Sequence, residues 1–303
     1  MARYLDPKND LTFKRVFGEH PDLVIDFLNS IMPLSENNKI KEIEYLPAEL
    51  VPDTPNRKNS IVDVRCKDKN GQVFIVEMQM LWTSDFMNRI VFNASKAYVR
   101  QLDKNKSYHL LQPVYTLAIL NQNFDNKTEN CYHHYSIVNR ENTEEVIEGL
   151  QFVLIELQKF KPENMSDRKM AVLWLKFLRD VDESMTKLPE DLASNEQIRK
   201  AAELCEEGAL TPREFATYEA YWDIIRTELT LREGSLAEGL AKGKAEGLAE
   251  GKAKGLAEGL AEGEAKKTKE MVINCHKAKI DIETIATITN LTITQVTEIL
   301  KNR

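Results

Sequence analysis

Apolar positions in the first half of the chain repeat with two different periods. From Asp10 to Met32 they recur at helical spacing, with Phe13 and Phe17 as core anchors. From Asp85 to Leu102 the spacing is helical again, and Phe86, Ile90, Ala94, Ala97 and Leu102 form the buried side. Between and after these segments, Lys39–Leu46, Ser60–Asp68, Gln72–Leu81, Val114–Asn121 and Phe152–Leu157 read as strands. Strands interleaved with helices predict an α/β or α+β core over residues 1–160.

Beyond the core the strand signal stops. Val172, Leu173, Leu175, Leu178 and Val181 recur at helical spacing, so residues 161–233 read as a helical region packed on the core. Residues 234–265 contain the repeat LAEGLAKGKAEGLAEGKAKGLAEGLAEGEA, with glycine at every fourth position from Gly239 to Gly263. A four-residue step over-rotates an α-helix by about 40°, so the glycine stripe winds around it. Each glycine costs a helix about 1 kcal/mol against alanine. A marginal helix that packs through its small residues against a second copy of itself, and a flexible linker, both fit this stretch. In residues 266–303, Ile282, Ile285, Ala286 and Ile288 form one apolar face, Asn290-Leu291 a turn, and Thr292 a cap for a second face of Val296, Ile299 and Leu300. This outlines a helix-turn-helix, but Thr294, Gln295 and Thr297 stand where a DNA-reading helix would carry arginine or lysine.

Composition narrows the class. With 303 residues, 42% hydrophobic and 29% charged, the chain has the make-up of a soluble globular protein. Met1–Lys8 has no apolar core, and no run of uncharged apolar residues reaches bilayer length, so a cytoplasmic protein without membrane contact is expected. Cys66, Cys131, Cys205 and Cys275 lie far apart without CxxC spacing, which points to reduced packing residues rather than a zinc site. A net charge of −7 argues against non-specific coating of nucleic acid. Yet ten basic residues face five acidic ones between Arg57 and Lys106.

That basic stretch surrounds an unusual strand, Gln72-Val73-Phe74-Ile75-Val76-Glu77-Met78-Gln79-Met80, which places Glu77 and Gln79 on one face. Lys69-Asn70-Gly71 before it is a hairpin signal. A two-residue loop would turn Asp63 and Glu77 to opposite faces. A three-residue loop closed by Gly71 at positive φ sets them directly opposite each other on the same face. Two carboxylates about 5 Å apart repel unless a cation lies between them, and a divalent metal with oxygen ligands is the natural occupant. Asp63, Glu77 and Gln79 would then suit phosphodiester hydrolysis. A hairpin face that merely meets water is the plain alternative. On the following helix Arg89, Asn93, Lys96 and Arg100 share a narrow arc that could seat a phosphate backbone or simply be solvated. Upstream, Asp10 and Lys14 stand one turn apart near a helix start, where Asp10 could act as a cap.

The segments KNDLTFKRVFG, DVRCKDKNGQVFIVEMQM, RIVFNASKAYVRQL and YHLLQPVYTLAILN, together with the EGLAEGKAKG repeats, resemble the Rpn family of recombination-promoting nucleases, PD-(D/E)XK nuclease family transposases. The resemblance spans nearly the whole chain. It implies a restriction-endonuclease-like α-β-β-β-α-β core with a mixed sheet, followed by an all-helical C-terminal region, and DNA endonuclease activity dependent on Mg²⁺, with Mn²⁺ as a substitute. Asp63 matches the motif's first carboxylate, Glu77 the second, Gln79 the position usually held by lysine, and Asp10 an acidic residue of the first helix. Gln79 removes a cation, so Lys14 or Arg89 would have to replace it and low intrinsic activity is expected. Arg89, Lys96, Arg100 and Lys14 are the expected contacts to the DNA backbone. The alternative is a degenerate core that binds DNA or self-associates through the repeat.

Overall fold

The computed structural model describes residues 3–50, 60–103, 105–165 and 168–302. It divides into two compact units, Met1–Thr227 and Glu228–Arg303. The first opens with helices α1 (Asp10–Gly18) and α2 (Pro21–Ile31). One helix over 10–32 is the expectation from spacing; the chain instead interrupts it at Glu19-His20, and Pro21 starts the second helix, where its missing N–H is no loss. The cap of α1 is also not Asp10: the Asn9 side chain accepts the N–H of Leu11 at 3.0 Å.

Strands β1 (Ile43–Tyr45), β2 (Glu49–Leu50), β3 (Ser60–Ile61), β4 (Val64–Asp68) and β5 (Val73–Gln79) follow, then helix α3 (Phe86–Val99) and strands β6 (Val114–Leu120), β7 (Tyr132–Val138) and β8 (Val146–Glu156). Six of them form one mixed sheet in the order β1-β4-β5-β6-β8-β7, while β2 and β3 pair apart from it. Neighbours are antiparallel at β1/β4, β4/β5 and β7/β8, and parallel at β5/β6 and β6/β8. The order of helix, three antiparallel strands, crossover helix and parallel strand is the α-β-β-β-α-β arrangement expected above. Helices α4 (Lys169–Asp180), α5 (Glu190–Ala193), α6 (Glu196–Leu204) and the start of α7 (Pro212–Lys277) complete the unit.

Strand β6 is buried at every position, as a central parallel strand covered on both faces must be. On one face Val73, Ile75, Ala118, Leu120 and Leu154 pack with Phe86, Ile90, Ala94 and Ala97 of α3. Among α1, α2 and α4 lies an aromatic cluster, in which Trp174 stands with its ring centroid 5.4 Å from those of both Phe17 and Phe27. Tyr218 ties α7 to the segment before α1. Its hydroxyl accepts the N–H of Asp6 at 2.9 Å, and its carbonyl accepts the side-chain amide of Asn9 at 3.0 Å.

The β4–β5 hairpin sets the register that matters. Val64 faces Val76, Arg65 faces Ile75 and Lys67 faces Val73, so position 63 extends the ladder opposite position 77. The loop has three residues: the Gly71 N–H donates to Asp68 O at 3.0 Å, and the Asp68 N–H to Gln72 O at 3.0 Å. Gly71 sits at φ 83°, and a Cβ there would lie 3.3 Å from Gln112 Cγ. Gly71→Ala is therefore expected to lower stability by about 1–2 kcal/mol, measured by urea unfolding; an unchanged midpoint would show that the turn has another conformation.

In the second unit the repeat is helical throughout, as part of α7. A Cβ added at any glycine from Gly239 to Gly263 meets nothing within 4 Å. Helices α8 (Ile282–Thr289) and α9 (Ile293–Lys301) form the expected pair. Asn290 turns the chain at φ 56°, and Thr292 and Gln295 make a reciprocal capping box. Val272, Ile285, Ala286 and Val296 are the small core, whereas Ile288, placed on the apolar face by its spacing, is exposed. Among the described residues no helix is long and apolar enough to cross a membrane.

Candidate active site

Asp63 occupies the last step before β4, and its Oδ2 accepts the N–H of Met78 at 2.6 Å. That bond pulls the carboxylate to the end of the hairpin. Glu77, two positions along β5 from Ile75 on the α3 face, is only 5% exposed. A carboxylate so deep in a sheet needs partners. Asn93 of α3 donates to its Oε1 at 3.0 Å, and Arg89 Nη2 approaches its Oε2 at 3.5 Å.

Of the other predicted residues, Gln79, Arg89, Asp10 and Lys14 stand near this pair, whereas Lys96 and Arg100 lie farther along α3. The Gln79 carboxamide donates to Leu81 O at 2.6 Å and accepts from Arg89, so both of its ends are engaged. Arg89 thus joins Glu77 to Gln79, and its guanidinium carbon also lies 4.8 Å above the Phe86 ring. Asp10 and Lys14 form an ion pair at 2.7 Å on α1. Lys96 donates to Leu50 O and lies 5.6 Å from the Phe92 ring centroid. Arg100 caps the C-terminal end of α3. The basic arc is therefore not one uniform solvated stripe: Arg89 turns into the carboxylate site, Lys96 reaches back to β2, and Asn93 is buried.

Asn93 is the member whose role the sequence pattern obscures. At 1% exposure it belongs to the buried side of α3, beneath Glu77. Its spacing carried the signal, since at 100° per residue it stands about 20° from Phe86, the centre of the apolar face. Tyr221 of α7 is a second unanticipated neighbour. Burial raises its phenol pKa, and the charges of Asp10 and Asp63 push it in the same direction.

Electrostatics marks Asp63 as the least comfortable group. Burial pushes its carboxyl up to about 7, with the negative charges of Glu77 and Asp10 adding to the shift and the Met78 N–H and Lys14 opposing it. Glu77 is also raised by burial, against the pull of Arg89 and Asn93. Cys66, Cys131 and Cys205 are buried free thiols, and burial pushes Cys66 up to about 12, so they are packing residues. Among the described residues no cluster of three or more His, Cys, Asp and Glu side chains could hold a metal. The local donor set is smaller, the carboxylates of Asp63 and Glu77, since the Gln79 carboxamide is engaged at both ends. It fits a hard divalent cation that keeps several waters and takes one or two protein carboxylates, with substrate phosphate completing its shell.

Comparison with known proteins adds one finding. Residues 7–226 match the family model described as PD-(D/E)XK nuclease family transposase. No curated protein and no solved structure matched the chain.

Proposed function

The chain belongs to the PD-(D/E)XK nuclease family transposases, and on that premise we propose that it is a metal-dependent DNA endonuclease acting in recombination or element mobility. The observation that carries this reading is the hairpin register, which sets position 63 opposite Glu77 beside the engaged amide of Gln79. Asp63 and Glu77 would hold the metal, Mg²⁺ or Mn²⁺. Bound there, it would polarise the phosphate and lower the pKa of the attacking water. Gln79 orients Arg89, whose guanidinium supplies the positive charge that a lysine at position 79 would bring. Lys14, Lys96 and Arg100 are assigned to the DNA backbone. The Gly/Ala repeat helix is the proposed contact for a second copy of the chain.

The deciding experiment incubates supercoiled plasmid with purified protein in Mg²⁺, in Mn²⁺ and in EDTA. Nicking or linearisation in either metal and none in EDTA is expected. An inert wild type on single- and double-stranded DNA in both metals would instead indicate a degenerate core used for binding or assembly.

The raised pKa of Asp63 gives a pH dependence with a definite sign. Folded Asp63 holds its proton up to about 7, whereas the unfolded group titrates near 3.8. The folded state therefore binds more protons between these values, and metal-free stability falls as pH rises through that window. Metal binding displaces the proton, so cleavage is expected to rise about tenfold per pH unit below 7 and then level off. Thermal melts in EDTA from pH 4 to 7, comparing wild type with Asp63→Asn, test the first half. Parallel slopes would show that Asp63 is not the titrating group.

A further inference from the structure

Beside the carboxylates lies a cleft of 690 Å³ that shares Arg89 and Asn93 with the hydrolytic site and otherwise extends beyond it. Ser60 and Ile61 of β3 line one part of it, and Phe86, Arg89, Phe92 and Asn93 of α3 line another. Its volume falls within the range of about 300–1,000 Å³ typical of ligand sites. Ile61 is 66% exposed and Phe92 45% exposed, although each belongs to a regular element. These two side chains give the mouth of the cleft apolar surface for a ligand to cover.

The lining defines that ligand. Arg89 is the sole cation and Asp85 the sole anion among the described lining residues, and Lys96 stands at the rim, 3.5 Å from the Ser60 hydroxyl and engaged by Leu50 O. What the cleft offers is a flat apolar surface, the Phe92 ring, next to groups that both donate and accept: the carboxamides of Asn88 and Asn93 and the hydroxyls of Ser60 and Thr83. The Oδ1 of Asn93, a buried residue, has no hydrogen-bond partner among the described residues. A planar, uncharged heterocycle with mixed polar edges fits this lining. The wall is also one side chain away from the reaction centre, because Asn93 Nδ2 donates to Glu77 Oε1 at 3.0 Å and Arg89 spans Glu77 and Gln79.

We propose that this cleft receives an unstacked nucleobase next to the scissile phosphate, so that the enzyme selects DNA with an unpaired nucleotide at the cleavage site. This rests on the nuclease reading above. Withdrawing a base from a duplex costs unstacking and unpairing free energy, and least where the base is already unpaired. Stacking on Phe92 offsets part of that cost whatever the base, so selection follows DNA structure rather than sequence.

The test compares oligonucleotide duplexes of one sequence, fully paired or with a single mismatch or a short single-stranded gap, cut by wild type, Phe92→Ala and Phe92→Trp in Mg²⁺. Wild type is expected to cut beside the unpaired nucleotide at least about tenfold faster than in the paired duplex. Phe92→Ala is expected to lose about 5- to 150-fold on the unpaired substrate, and Phe92→Trp to retain most of it. A parallel arm replaces the unpaired base with 2-aminopurine and follows its fluorescence on binding in Ca²⁺. A change with wild type that Phe92→Ala abolishes supports the pocket even if no cleavage occurs, which would count against the nuclease reading alone. Equal cutting of paired and unpaired DNA, or a fluorescence change indifferent to Phe92, overturns the proposal.

Discussion

Alanine in place of Asp63 or of Glu77 is expected to lower metal-dependent plasmid cleavage about a thousandfold or more. A metal at a transferring phosphoryl group contributes several kcal/mol of transition-state stabilisation, and each 1.4 kcal/mol is about a factor of ten. The two substitutions should not multiply, because each removes the same ion, so the double variant is expected to be no worse than either single one. Glu77 is buried and receives a hydrogen bond from Asn93, so its removal also disturbs packing. Glu77→Gln keeps an acceptor for that amide and removes the charge. It should lose cleavage while its circular dichroism and melting stay close to wild type. A single variant that retains more than about a tenth of the wild-type rate would place the metal elsewhere.

The largest effect on stability is expected at Trp174. Its ring is fully buried against Phe17, Phe27 and Phe177, and its indole N–H donates to Asp26 Oδ2 at 2.7 Å. Trp174→Ala leaves a cavity and an Asp26 carboxylate without that donor, at a cost of about 3–5 kcal/mol. This is a large part of the total stability of a typical domain, about 5–15 kcal/mol. Trp174→Phe restores most of the ring contacts and loses the hydrogen bond, at about 1–3 kcal/mol. Urea unfolding of the three proteins measures both differences. Equal losses in the two variants would show that the hydrogen bond, rather than the ring, dominates.

Most of the sheet is legible in the sequence where local chemistry and tertiary packing agree. The three-residue loop could be read because Asn70-Gly71 suits a turn ending at positive φ, and only that loop sets Asp63 and Glu77 on one face. Strand β7 carries no such signature. Tyr132, His133, His134, Tyr135 and Ser136 form an edge strand with much of one side in water, so neither burial nor alternation marks it. The break at Glu19-His20-Pro21 was masked because apolar residues on both sides keep helical spacing. Proline at the first turn was the available signal.

At the site, Glu77 and Gln79 stood out because polar side chains interrupt an apolar strand. Asn93 did not, since on a helix wheel the boundary between buried and solvated faces is gradual and an amide suits both. Arg89 stands out in the sequence as a cation, expected at the DNA backbone or as a substitute for the lysine missing at position 79. Its turn toward Gln79 depends on how α3 crosses the sheet, which no local pattern encodes.

The hairpin also sets a limit on how this gene can drift. Lys69 and Asn70 can be exchanged at modest cost, but loss or gain of one in-frame codon in the loop shifts the pairing by one position. Every side chain beyond it would then change faces, and the carboxylate of position 77 would point away from α3. Descendants of this sequence are therefore expected to tolerate substitutions in the loop far better than changes in its length.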